Sequence, residues 1–265
     1  MTAQQLTESI QQRVNELGPW FHNLHLPDGT ETAPAHKLGD FPSNKWSVIA
    51  PRLPDDLTGW TAMDIGCNAG FYSFELARRG ASVTAIDYDD DYLAQARWAA
   101  EIYGLEGQIT FRRQQIYDLA REKRQFDLVW FMGVFYHLRY PLLGLDIASR
   151  LTRRLMVFQT MTAPGEEVFQ PPANIELDAR SLMSKPGWPT LAFIEHQLAN
   201  DPTNWWAANH ACVEALLRSS GFRVAERLAH ETYLCEPAPT SSAGIEHLLE
   251  SEFRAATGSE SPVGH

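Results

Sequence analysis

Two carboxylates bracket a glycine-rich stretch in this chain. Asp64 opens Asp64-Ile65-Gly66-Cys67-Asn68-Ala69-Gly70, and Asp87 follows about twenty residues later. Glycines let a backbone approach a ligand closely, and a helix that starts after them presents free N–H groups. An acid at the tip of the following strand accepts the two hydroxyls of a ribose. An acid placed before the first glycine suits a ligand with a cationic amino end better than a pyrophosphate. A second group, Met132 to His137, carries Tyr136 and His137. A neutral imidazole can take a proton near pH 7, or it can simply hydrogen-bond its loop. The phenol of Tyr136, with an ordinary pKa of about 10, is a better ligand contact than base. A third group gathers Glu195, His196, Trp205, Trp206 and His210. The paired indoles either stack on a ring or plug the segment onto the core, and Glu195-His196 is either a reacting pair or a solvated one.

The elements that must position these groups are legible. Residues 61–65 form a short apolar run. Phe71, Phe74 and Ala77, with Tyr72 and Leu76, recur at helical spacing, and Gly80 stops them. Residues 82–86 are a second strand ending at Asp87, with Tyr88 beside it. This βαβ unit, with its acid-glycine turn, fits S-adenosylmethionine as cofactor. Asn68 tolerates left-handed backbone, so the turn survives without a glycine there. Asp89 to Asp91 read as a helix cap. Further strands are expected over 109–112, 126–131 and 155–159, and a strand pair over 223–228 and 232–235. Ile116 and Tyr117 stand after the third strand, where an adenine would lie.

Alternation of strand and helix stops over residues 160–208, which read as a lid or substrate insertion. The expected plan is an α/β, doubly wound, Rossmann-like seven-stranded sheet. Residues 1–52 form an N-terminal helical extension, 53–237 the main domain, and 238–265 a helix (245–253) with a disordered tail. The 265 residues carry a net charge of −11, which opposes broad nucleic-acid binding, and are 44% hydrophobic, ample for a core. No apolar run reaches membrane-spanning length and the opening residues lack a signal-peptide core, so a soluble, cytoplasmic protein is expected. The three cysteines have no ligand spacing, so neither a disulfide framework nor a metal centre is expected. Cys67 serves the turn, with its thiol packed.

Glu16-Leu17-Gly18-Pro19-Trp20, Lys45-Trp46, the DIGCNAG turn and MGVFYH followed by RYPL together resemble the tRNA wobble-uridine carboxymethyltransferase family of class I methyltransferases. The likeness covers roughly residues 15–145. Residues 160–206 resemble an uncharacterised bacterial methyltransferase group. The resemblance implies that Lys45, Gly66, Asp87, Ile116, Tyr117, Met132 and Tyr136 line a cofactor site. Two departures are Asn68 and the absence of the lysine that follows ELGPW in the family; His22 falls nearest that place. The expected function is therefore S-adenosylmethionine-dependent O- or N-methylation of a small polar acceptor. The alternatives are a carboxymethyltransferase-like enzyme acting on tRNA, which predicts a basic face, and a protein that binds the cofactor without turnover.

Overall fold

The structure is a computed structural model, and it describes residues 3–239 and 244–259. Seven strands form one sheet: β1 (Thr61–Ile65), β2 (Ser82–Asp87), β3 (Ile109–Arg113), β4 (Phe126–Met132), β5 (Thr152–Gln159), β8 (Phe222–Ala229) and β9 (Thr232–Pro237). Their order is β3-β2-β1-β4-β5-β9-β8. β1 pairs in parallel with β2, and β2 with β3; β9 runs antiparallel to both β5 and β8. A separate two-stranded sheet joins β6 (Leu191–Phe193) to β7 (Trp206–Ala208). The helices are α1 (Ala3–Leu17), α2 (Phe41–Ile49), α3 (Phe71–Arg78), α4 (Asp90–Tyr103), α5 (Pro141–Leu151), α6 (His210–Ser219) and α7 (Glu246–Thr257). The seven-stranded α/β sheet expected from the sequence is present, with the final strand pair as an antiparallel hairpin. All seven residues of β4 are buried, as a strand with both faces covered requires. No helix among the described residues is long and apolar enough to cross a membrane.

The chain divides into two compact units. The first holds residues 1–115 and 126–130, the second 116–125 and 131–265. In the first unit, Ile10 and Val14 of α1 are buried, as their spacing predicts. The segment after α1 is tied down by Gln95 of α4, itself buried, whose side-chain amide donates to the carbonyls of Leu17 (2.8 Å) and Pro19 (2.9 Å). The Trp20 indole donates to the Val14 carbonyl at 2.7 Å. Residues 21–40 are irregular but not loose: Leu24 and Leu26 are buried, and the Tyr103 hydroxyl donates to the His25 carbonyl. Asp127 accepts from the backbone N–H of Thr61 at 3.0 Å, tying the start of β4 to that of β1.

Several boundaries differ from the sequence reading for local reasons. The run Ser43-Asn44-Lys45-Trp46 suggests a helix cap, yet α2 starts two residues earlier, at Phe41, because Pro42 fits a first helical turn. β5 starts at Thr152 rather than Leu155. The Thr152 hydroxyl donates to the Ala148 carbonyl at 2.7 Å, closing the last turn of α5, while its backbone is already extended. Asn209 caps α6 by accepting from the Cys212 N–H, as its position suggested. α7 runs four residues past Phe253, which is buried beneath the Arg150 guanidinium, 3.7 Å from the ring centre. The tail expected to be disordered lies, from residue 260 on, outside the described residues.

Gln95→Ala removes both bonds that this side chain makes, to the Leu17 and Pro19 carbonyls. Urea unfolding should show a loss of about 1–3 kcal/mol. An unchanged midpoint and slope would mean that water replaces the amide without cost.

Candidate functional site

In the first unit the glycine turn is drawn taut between β1 and β2. The N–H groups of Gly66 and Cys67 both donate to the Ile86 carbonyl at 2.9 Å, and that of Gly70 to the Cys67 carbonyl. Gly66, Asn68 and Gly70 all have positive φ, at 73°, 51° and 89°. Asn68 thus adopts the left-handed backbone expected of it, and its side-chain oxygen accepts from the Ala69 N–H at 2.7 Å. Gly70 has a second reason to lack a side chain: a Cβ there would lie 2.7 Å from the Phe74 ring.

The two acids have different tasks. Asp64 is buried and accepts a 2.6 Å hydrogen bond from Ser73, a residue of α3 the sequence reading did not single out. Burial pushes the Asp64 carboxyl up to about 7, against the lowering effect of Ser73. Asp87 is half-buried. One of its oxygens accepts from the Asn68 N–H at 2.8 Å and the other from the Asp89 N–H at 3.0 Å, so the carboxylate is aimed by two backbone bonds. Burial raises its pKa and those bonds oppose the rise. Tyr88 is exposed beneath Arg113, and the Cys67 thiol is buried and pushed well above its ordinary pKa by that burial. His22 is buried among the rings of Phe41, Phe71 and Tyr72 and is lowered to about 3, by burial first and by Lys45 next. It is neutral at pH 7, as expected of the residue nearest the missing lysine. Lys45 is half-buried, 5.8 Å from the Phe41 ring centre.

In the second unit the chain leaving β4 meets the 160–208 insertion. The Trp205 N–H donates to the Tyr136 carbonyl and the Trp206 indole to the Leu138 carbonyl, both at 2.9 Å. Trp206 pins the insertion. Trp205 lies parallel to Phe193 with ring centres 6.3 Å apart, and the Arg139 guanidinium is 5.0 Å from the Trp205 ring centre. His137 Nδ1 is 2.8 Å from the Thr203 hydroxyl and 3.8 Å from an Asp201 oxygen. Asp201 in turn accepts from the Thr203 hydroxyl at 2.6 Å. Burial lowers the His137 pKa, with Asp201 opposing, and burial raises the Tyr136 phenol to about 12. His137 is thus the group able to take a proton at neutral pH, while Tyr136 keeps its own. Thr203, Asp201 and Phe193 escaped the sequence reading. Only the Asp-Pro-Thr turn left a local signal, an Asp whose carboxylate holds the residue two positions on.

The remaining expected residues are more dispersed. Ile116 is buried, Met132 ends β4, and the Tyr117 hydroxyl accepts from the Tyr140 N–H at 3.0 Å. Glu195 and His196 are exposed on the chain after β6. His210 is fully buried at the start of α6, 2.5 Å from the Tyr233 hydroxyl, and does not join the tryptophans.

Residues 62–154 match a family model described as a methyltransferase domain. A magnesium-protoporphyrin O-methyltransferase of Rhodobacter capsulatus is 40% identical over 116 residues, covering 42% of this chain and 50% of that protein. A tRNA U34 carboxymethyltransferase of Idiomarina loihiensis is 32% identical over 130 residues, covering 46% and 39%. The chain thus spans half or less of the length of these relatives. Among solved structures, the N-terminal domain of EvdMO1 with SAH bound superposes with a TM-score of 0.62 at 18% identity, over 88% of this chain and 97% of that one. At that identity the likeness shows the fold.

Asp64 carries a pH signature. Its unfolded carboxyl ionises near pH 3.9, whereas the folded one holds its proton to about 7. The protonated group's contribution is whole below about pH 4 and is lost as pH rises toward 7. Ligand-free Asp64→Asn, which keeps the Ser73 bond without the charge, should therefore gain stability relative to the parent as pH rises through that window. Parallel stability curves would show an ordinary carboxyl.

Proposed function

We propose that this chain is a class I S-adenosylmethionine-dependent methyltransferase that methylates a hydroxyl of a small polar acceptor, a reading supported by the match of residues 62–154 to a methyltransferase-domain model. The observation that carries this reading is the His137–Thr203–Asp201 arrangement. Thr203 occupies Nδ1, so Nε2 is the ring nitrogen left to serve as base, and the lowered pKa keeps the imidazole neutral. Bound S-adenosylmethionine would supply an activated methyl group, and His137 Nε2 would take the proton of the acceptor O–H as it is methylated. Holding donor and acceptor in line supplies much of the rate. Trp205, Phe193 and Arg139 form the surface on which a planar or sugar-like acceptor rests.

In this reading Asp87 receives the ribose, and the turn from Gly66 to Gly70 lies against the cofactor's amino-acid end. Ile116, Tyr117 and Met132 take the adenine, by the likeness of their motifs. Glu195 and His196 stand at the rim of the insertion as further acceptor contacts. The relatives named above include enzymes of small-molecule O-methylation and of tRNA carboxymethylation. Two features favour the first class for this chain. His22 brings no charge to the place of the missing lysine, and the net charge of −11 opposes a phosphate backbone.

Cofactor titrations test the donor. Asp87→Ala should cost about 2–4 kcal/mol in S-adenosylhomocysteine binding, since it removes charge-assisted bonds to two hydroxyls. The parent protein should prefer S-adenosylmethionine to its carboxylated form by at least about tenfold, or about 1.4 kcal/mol. Tighter binding of the carboxylated form would restore the tRNA reading.

The base has its own signature. His137→Gln should lower the turnover of an accepted hydroxyl substrate by about 10²–10⁴-fold and leave cofactor affinity intact. In the parent, kcat/KM should fall on the acid side at a pH below His137's ordinary value of about 6.5. If the variant kept both the rate and the acid limb, His137 would not be the base.

A further inference from the structure

The second unit gathers three side chains of metal-ligand type, one of them the buried His210. Glu166 comes from the insertion, His210 from the first turn of α6, and His230 from the two-residue turn between β8 and β9. One Glu166 oxygen, Oε1, lies 3.4 Å from His210 Nε2 and 3.1 Å from His230 Nδ1, and the three candidate ligand atoms are within 4.8 Å of one another. A second observation is independent of this convergence. His210 is fully buried, yet its Nε2 makes no hydrogen bond among the described residues. A buried imidazole nitrogen without a hydrogen bond is costly, and its lone pair is what a metal ion uses.

The surroundings are those of a ligand set. His210 Nδ1 is engaged by the Tyr233 hydroxyl at 2.5 Å, and His230 Nε2 by the Thr162 hydroxyl at 3.3 Å. Each ring thus has one nitrogen held by a hydroxyl and the other turned to the same point. Arg227 holds the second Glu166 oxygen at 3.0 Å, leaving Oε1 for an ion. Such outer contacts orient metal ligands in general. Ligands bonded at about 2.0–2.2 Å around a tetrahedral ion stand about 3.3 Å apart, close to the two separations from Glu166 Oε1 to the imidazoles.

We propose that Glu166, His210 and His230 bind a divalent transition-metal ion of the zinc class. Two imidazoles and one carboxylate suit zinc or cobalt better than magnesium or calcium, which prefer all-oxygen sites. Three protein ligands leave a fourth position for water. The ion fastens the insertion, through Glu166, to α6 and the β8–β9 turn. The site stands apart from the methyl-transfer reading and holds whatever the acceptor.

The test uses untagged full-length protein stripped with a chelator and dialysed. Zinc titrated against a chromophoric competitor should bind at one equivalent with a dissociation constant in the micromolar range or below. Cobalt at the same stoichiometry should give visible absorption of a four-coordinate ion. Glu166→Gln and His230→Ala change exposed side chains, so both should fold as the parent does by circular dichroism. Each should weaken zinc at least tenfold. Zinc should also raise the parent's melting temperature and not that of either variant. A parent that takes up no zinc at about a hundredfold above micromolar levels would overturn the proposal. So would variants that bind as the parent does, and the three side chains would then be an ion-pair cluster only.

Discussion

The hydrogen bond from the Asn68 N–H to the Asp87 carboxylate ties together two things the site cannot have separately. It fixes the glycine turn to the end of β2, and it aims the carboxylate that stands there. A charged acceptor held by backbone donors is rigid without having to spend a side chain on its support. Much else follows from that bond. Asn68 must be left-handed to offer its N–H, its own side chain then closes on Ala69, and Gly70 must stay bare so that Phe74 can pack beneath the turn. Ser73, one turn into α3, secures Asp64 from the other end.

The second unit solves a different problem. A long insertion with few buried residues of its own needs attachment points. It finds them in backbone carbonyls just beyond β4, where Trp205 and Trp206 donate, and in the β8–β9 turn. There Glu231 accepts from the Thr162 N–H at 2.8 Å and from the Gln159 side chain. The same contacts place His137 beside Thr203 and Asp201. A loop docked by hydrogen bonds thereby supplies the orienting partner for a group on the scaffold.

How far the sequence reveals all this depends on the separation of the partners. Asp64, Asn68 and Asp87 belong to one βαβ unit, whose period and punctuation are local, so their placement is legible. β1 is read to the residue for the same reason. The boundaries that moved did so where a side chain decides them: Pro42 at the start of α2, the Thr152 hydroxyl between α5 and β5, Phe253 in the middle of α7. The pairings that escaped are remote. Thr203 stands far along the chain from His137, and Arg139 equally far from Trp205. His210 shows the converse: its type suggested chemistry beside the tryptophans, whereas burial against Tyr233 directs it toward Glu166 and His230, which share no spacing with it.

The insertion is held at both feet and bare along its crown. Near its start, Thr162 and Ala163 are bonded to Glu231 and Ala208; near its end, Trp205 and Trp206 are bonded to Tyr136 and Leu138. Between them, the 3₁₀ turn Leu177–Ser184 buries none of its residues and leaves Leu177 at 77% exposure. In a segment fastened at both ends and unburied between them, the free energy of local opening is lowest at the middle and rises toward each anchored end.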